Sequence, residues 1–210
     1  MYKKFIKRFI DVVSSFLIII GLSFLLILIA FLVKITSKGK VFCCQRRIGK
    51  DKKEFYILKF RTMKDMAPSD VPTHLLQNPE QYITKVGKFL RNTSLDELPQ
   101  LINILKGDMS LVGPRPALWN QYDLIEERDK YGANTIRPGL TGWAQVNGRD
   151  ELPISLKAKY DGEYITKMNF LFDISCVLKT FYCVFKQKGV REGVCGEVKG
   201  LYEESTGNWG

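Results

Sequence analysis

The sequence predicts an α+β chain that is mainly helical. An N-terminal membrane helix leads into a cytoplasmic domain with a small β-hairpin and amphipathic interfacial helices. Three observations carry this. Val12–Val33 is an uncharged apolar run. Two stretches after it, Val41–Ile48 and Glu54–Met63, are rich in β-formers and separated by the charged turn GKDKK. Beyond them, apolar residues recur at helical spacing on several segments.

The run Val12–Val33 holds 22 residues, and as a straight helix it would be about 33 Å long, enough to cross a bilayer core of about 30 Å. Two features favour re-entry instead. Both flanks are basic, with Lys3, Lys4, Lys7 and Arg8 before the run and Lys34, Lys38 and Lys40 after it. Cytoplasmic placement suits such flanks, and a helix that returns to its own side satisfies both. Gly21 and Ser23 lie at the midpoint, where Gly/Ser pairs permit a kink. Ser23 is then placed to bond a carbonyl freed by the bend. Arg8 and Asp11 share a helical face at pairing distance, while Lys3, Lys4 and Lys7 read as snorkelling cations.

Residues 64–82 carry Pro68, Pro72 and Pro79 with little periodicity and read as a long loop placed to act as a lid. A helix is expected from Ser94 to Lys106, with Leu95, Leu98, Leu101, Ile102 and Leu105 as its stripe and Gly107 as its stop. A second covers about 117–131. Arg137–Arg149 is dense in Gly and Arg. The last helix runs over about 172–188, with Ile174, Val177, Leu178 and Phe181 on one side. The expected organisation is an anchor over 1–40, a catalytic domain over 41–192 and a flexible tail over 193–210.

Composition narrows the chemistry. Net charge is +10, yet residues 1–50 hold ten Lys and Arg against one acid, Asp11, so the excess sits beside the apolar run. That pattern points to anionic membrane lipids and away from nucleic acid. The single histidine, His74, excludes a His-rich zinc site and argues against a Ser-His-Asp triad. Five cysteines without a CxxC pair read as reduced thiols filling apolar space. Walker A and GxGxxG are both absent, so any nucleotide is held another way.

The candidate chemistry lies in four places. Asp96 and Glu97 are adjacent carboxylates at a predicted helix start, where an aspartate kept ionised serves as a nucleophile. Arg91 is close enough to clamp a phosphate. The same residues, Ser94-Leu-Asp-Glu97, also fit a capping box, and spacing alone favours the cap. Arg115, bracketed by Pro114 and Pro116, suits an aimed anion-binding guanidinium or a salt bridge with Asp108. Arg137, Trp143, Gln145, Asn147 and Arg149 fit either a phosphate-binding amide nest with a stacking Trp143 or a Gly-rich connector with Trp143 in the core. Lys59 and Arg61 alternate onto one face of the second strand as further anion ligands. Asp161, Glu163 and Asp173 read as solvated or paired surface charges. Positioned cations, a carboxylate pair and no base histidine suit phosphoryl transfer, with a divalent ion bridging carboxylate and phosphates.

Lys7-Arg8…Asp11, Lys59-Phe-Arg-Thr-Met63, Ser94-Leu-Asp-Glu-Leu-Pro-Gln100, Lys106–Pro116 and Arg137–Arg149 occur in one order over nearly the whole chain. Together they resemble the bacterial sugar transferases, the small monotopic phosphoglycosyl transferases that start glycan assembly. The resemblance implies a site on the cytoplasmic face of the bacterial inner membrane. It implies Asp96 as nucleophile on the β-phosphate of a UDP-sugar, release of UMP, and a sugar-phosphoryl-aspartate. Polyprenyl phosphate, usually undecaprenyl phosphate, then accepts the sugar phosphate. Glu97 is implied as dyad partner, Mg2+ as an ion held at Asp96, and Arg91 and Arg115 as ligands of phosphoryl oxygens. The Arg137–Arg149 segment is implied at the nucleotide sugar. Downstream glycosyltransferases are implied partners. At the bend this chain has Ser23-Phe24 where members of the family carry Ser-Pro. A membrane-bound assembly scaffold and a diphosphate phosphatase are the rival readings.

Overall fold

A computed structural model describes residues 2–64, 79–148 and 152–185. The apolar run forms two helices, α1 (Lys7–Gly21) and α2 (Ser23–Thr36), bent by 65° at Leu22. No single helix among the described residues is long and apolar enough to cross a membrane; the bent pair passes that test only together. At the bend the Leu22 amide still donates to Ile18 and the Leu26 amide to Leu22, both at 2.9 Å. The exposed Ser23 hydroxyl has no partner among the described residues, so the expected bond from Ser23 to a carbonyl freed at the bend is not formed.

The two faces of this pair differ sharply. Phe9, Phe16, Phe24, Ile27 and Phe31 are exposed, whereas Ile29 and Val33 of α2 are buried against Phe60 and Leu90. On α1 the buried face is polar: Lys7, Asp11 and Ser15. Lys7 does not snorkel. Its Nζ lies 2.7 Å from Asp173, which also accepts from the hydroxyls of Tyr2 (2.5 Å) and Tyr164 (2.7 Å). Arg8 and Asp11 do not pair either. Arg8 turns to the Ile104 and Leu105 carbonyls, and Asp11 accepts from the Ser110 hydroxyl and the Leu111 amide. Burial explains each outcome, since a charge drawn under a helix has to find a partner in the protein.

The hairpin forms as expected, β1 (Phe42–Ile48) antiparallel to β2 (Glu54–Phe60), with Cys43 opposite Lys59. Helix α3 (Lys85–Asn92), absent from the sequence reading, is capped by the Thr84 hydroxyl, which accepts from the Gly87 amide at 2.9 Å. The segment 94–106 is not one helix. Leu95–Glu97 is a 3-10 turn, and α4 spans Gln100–Lys106 after Pro99. Ser94 has a left-handed backbone (φ 56°) and its side chain caps nothing.

Two short strands, β3 (Ser110–Val112) and β4 (Gly139–Thr141), pair in parallel. A side chain on Gly139 or Gly142 would overlap the backbone of Gly113, so these glycines serve close strand approach. Helix α5 (Tyr122–Asp129) is shorter than expected, and α6 (Trp143–Val146) is a single turn. Helix α7 (Ile154–Lys167), started by Pro153, and α8 (Phe170–Phe185) complete the described residues.

Two of the acids read as surface charges are buried: Asp161 pairs with Arg128 at 2.7 Å, and Asp173 sits in the Lys7 network. Glu163 pairs with Lys167. Cysteine placement is also mixed, with Cys176 in the core and Cys43 and Cys44 exposed on the hairpin. The lid loop falls mostly, and the tail and Arg149 wholly, outside the described residues.

Candidate active site

The dyad is placed by α4. This helix lies beside β2 because Asn103, 3% exposed, uses its side-chain amide as a strand edge would. Its Oδ1 accepts from the Leu58 amide at 2.9 Å, and its Nδ2 donates to the Tyr56 carbonyl at 2.8 Å. Leu101 and Ile104 then seat the helix against Ile57 and Met109. With α4 and β2 in this register, the turn before α4 faces Lys59, the residue after Leu58. The sequence reading missed Asn103; an Asn inside an otherwise apolar helical stripe was the available signal.

Glu97 is the bonded carboxylate. Its Oε1 accepts from Lys59 Nζ at 2.9 Å and from Arg115 Nη2 at 2.8 Å, with Arg115 Nη1 3.4 Å from Oε2. The capping box is therefore not formed, and Arg115 chooses Glu97 over Asp108. Asp96 is the opposite case. It is only 7% exposed, yet among the described residues nothing donates a hydrogen bond to it. Burial pushes its carboxyl above the usual aspartate range, and the Glu97 charge adds to this; Lys59, Arg91 and Arg115 pull it back down. Burial likewise lowers Lys59 from the ordinary lysine value, against the pull of Glu97. Arg91 is oriented by its Nε bond to the Thr62 hydroxyl at 2.9 Å.

The structure therefore brings together Asp96, Glu97, Lys59, Arg91 and Arg115. Arg61, buried, donates to the Ser37 carbonyl (3.1 Å) and hydroxyl (3.0 Å), which ties β2 to the end of α2. Arg137, Trp143, Gln145 and Asn147 have no bond to the dyad. Arg137 Nε donates to the Gly107 carbonyl, Gln145 Nε2 to Leu140 and Asn147 Nδ2 to Trp143. The Trp143 indole donates to Glu163, packs on Phe172 with ring centres 4.9 Å apart, and lies under Lys179.

A model of the family described as bacterial sugar transferase matches residues 2–187. The chain belongs to the bacterial sugar transferase family. Among its relatives, the UDP-glucose:undecaprenyl-phosphate glucose-1-phosphate transferase of Escherichia coli K12 is 42% identical over 193 residues. That match covers 88% of this chain and 41% of the relative, so the chain spans less than half of that protein. Exopolysaccharide production protein ExoY of Sinorhizobium fredii is 36% identical over 197 residues, covering 87% of each. The UDP-N-acetylgalactosamine-undecaprenyl-phosphate N-acetylgalactosaminephosphotransferase of Aeromonas hydrophila is 35% identical over 195 residues, 89% of this chain and 45% of the relative.

For a sugar transferase, the fit of a divalent ion follows from the two carboxylates. No group of three or more His, Cys, Asp or Glu side chains suited to a metal occurs among the described residues. The Glu97 oxygens are held by cations, which leaves Asp96 as the one dyad carboxylate open to an ion. Mg2+ keeps several waters and takes one or two carboxylates beside substrate phosphates, and this donor set matches that habit.

Proposed function

We propose that this protein transfers a sugar 1-phosphate from a UDP-sugar to undecaprenyl phosphate, releasing UMP, through a covalent aspartyl intermediate. The observation that carries the reading is the unequal dyad: a buried Asp96 with no hydrogen bond from a described residue, beside a Glu97 fully engaged by Lys59 and Arg115. A nucleophile needs open lone pairs, whereas its partner, already bonded, holds the cations in place.

Asp96 Oδ attacks the β-phosphorus of the UDP-sugar, and the bond from that phosphorus to the bridging oxygen of UMP breaks. A phosphate oxygen of undecaprenyl phosphate then attacks the same phosphorus, breaking the acyl-phosphate bond and freeing Asp96. Both attacks need an anionic oxygen; burial disfavours that form of Asp96, and the charges of Lys59, Arg91 and Arg115 favour it. Lys59, Arg91 and Arg115 offset charge on the phosphoryl oxygens. A bound Mg2+, held at Asp96, would neutralise the diphosphate and leaving group. The relatives' names specify different sugars, glucose and N-acetylgalactosamine, and the reading stops at the UDP-sugar class.

The site would lie at the cytoplasmic face of a bacterial inner membrane, with α1 and α2 as a re-entrant pair. Support comes from the 65° bend, the basic flanks and the exposed aromatic face. Helices of 15 and 14 residues would each reach about 21–23 Å, short of a 30 Å core.

The test is purified protein in nanodiscs with a panel of UDP-sugars and undecaprenyl phosphate. UMP release with lipid-linked sugar supports the transferase. Free phosphate would indicate the phosphatase, and neither product the scaffold. With UDP-sugar alone, intact-mass measurement should show one sugar phosphate on the wild type and none on Asp96→Asn.

A further inference from the structure

Arg8 lies at the start of α1, far along the chain from the dyad, yet it grips the helix that carries it. Its Nη1 donates to the Ile104 carbonyl at 2.6 Å and its Nη2 to the Leu105 carbonyl at 3.1 Å. These are carbonyls of the last turn of α4, beyond its last helical amide; the Gly107 amide also reaches the Ile104 carbonyl, at 3.1 Å. Gly107 follows with φ 102°, its Cα face against the Arg8 guanidinium, and its carbonyl is taken by Arg137 at 2.8 Å. Two guanidiniums thus close the negative end of one short helix.

Consequences for the dyad follow from length and continuity. Helix α4 has seven residues, about 10 Å, and is too short to bend. Backbone bonds link the dyad turn to it across Pro99, which itself has no amide to give: Glu97 donates to Ser94, Leu98 to Leu95, Leu101 to Leu98 and Ile102 to Pro99. A shift or fraying at Ile104–Leu105 therefore passes to Asp96. Ordinary headgroup snorkelling would leave the Arg8 donors in water, and here both end nitrogens are spent on backbone of another element.

We propose that Arg8 is a positioning residue, clamping the C-terminus of α4 so that the dyad at its other end is aimed correctly only while α1 is seated on the domain. Nucleophile aim is in this way made to depend on the membrane-embedded helix. The proposal rests on the reading of Asp96 as the nucleophile.

The experiment uses the full chain in nanodiscs of phosphatidylethanolamine and phosphatidylglycerol. Arg8→Gln should lower kcat for UMP release about tenfold to hundredfold, with KM for the UDP-sugar within about twofold, because aim and not binding is lost. Arg8→Lys, able to reach one carbonyl, should fall between. Lys3→Gln removes the same charge from the same segment and should stay within about twofold of wild type. Hydrogen exchange of the α4 amides should speed up in Arg8→Gln, while β1 and β2 stay protected. A normal kcat in Arg8→Gln, or a change confined to KM, overturns the proposal. If Asp96→Asn turns over normally, the transferase reading itself falls; the exchange comparison then decides the clamp alone, and unchanged α4 protection overturns it.

Discussion

Replacing Asn103 by leucine keeps the side chain's size and removes both of its bonds to β2. The Leu58 amide and the Tyr56 carbonyl then lose partners held at 2.9 and 2.8 Å. A fully buried orphan costs about 1–3 kcal/mol. The hairpin edge is only partly covered, so the low end applies, about 2–3 kcal/mol for the pair. Against a typical stability of about 5–15 kcal/mol the chain still folds. At about 2–4 °C per kcal/mol, the melting midpoint should drop by about 4–12 °C. Activity should fall further than stability predicts, since Lys59 follows Leu58 and loses its fixed distance to Glu97. Asn103→Asp separates the causes: it keeps an acceptor for Leu58 but turns a carboxylate on the Tyr56 carbonyl and on Asp108, 3.4 Å from the present nitrogen. It should therefore be the worse variant. Thermal unfolding by intrinsic fluorescence, read beside UMP release, tests this. A shift under 1 °C in the leucine variant, with the aspartate variant equal to wild type, would refute the reasoning.

Other expectations can be checked with the same preparation. Glu97→Gln leaves Lys59 and Arg115 without a charged partner and should cost about a hundredfold in kcat. It also removes the negative charge that raises Asp96, so the acid limb of the kcat profile should move to lower pH; a limb that stays put would assign it to another group. The proposed attack requires an ionised Asp96, so wild-type activity should fall with decreasing pH at values above the ordinary aspartate range. Loss at high pH should begin below the ordinary lysine range, as the lowered Lys59 deprotonates. Gly142→Ala forces a methyl group into the Gly113 carbonyl and should destabilise by about 1–3 kcal/mol by overpacking, seen as a lower melting midpoint. Chelation by EDTA should abolish UMP release and leave the melting midpoint within about 1 °C, and Mg2+ should restore activity.

Much of the fold was legible because its signals are local. Hydropathy places the paired helices and Gly21 and Ser23 mark their break; β-former runs around GKDKK place the hairpin. Proline and glycine mislead where they act through distant atoms. Gly139 and Gly142 lie in the stretch read as either a phosphate nest or a Gly-rich connector, yet they let the backbone of Gly113 approach, a contact between segments far apart in sequence. Helices α3 and α7 escaped because their buried faces mix Gly, Ala and Asp with apolar residues.

The sequence by itself determined where a nucleophile could stand: adjacent carboxylates in Ser-Leu-Asp-Glu, Arg91 upstream and Arg115 between prolines. Only the tertiary structure decided which carboxylate is bonded and which is open. That choice depends on Lys59 and Arg115, 38 and 18 residues from Glu97, arriving within 3 Å of one oxygen. Spacing along a chain cannot encode such a meeting; it is set by how Asn103 and Arg8 hold one short helix between a hairpin and the N-terminal helix α1.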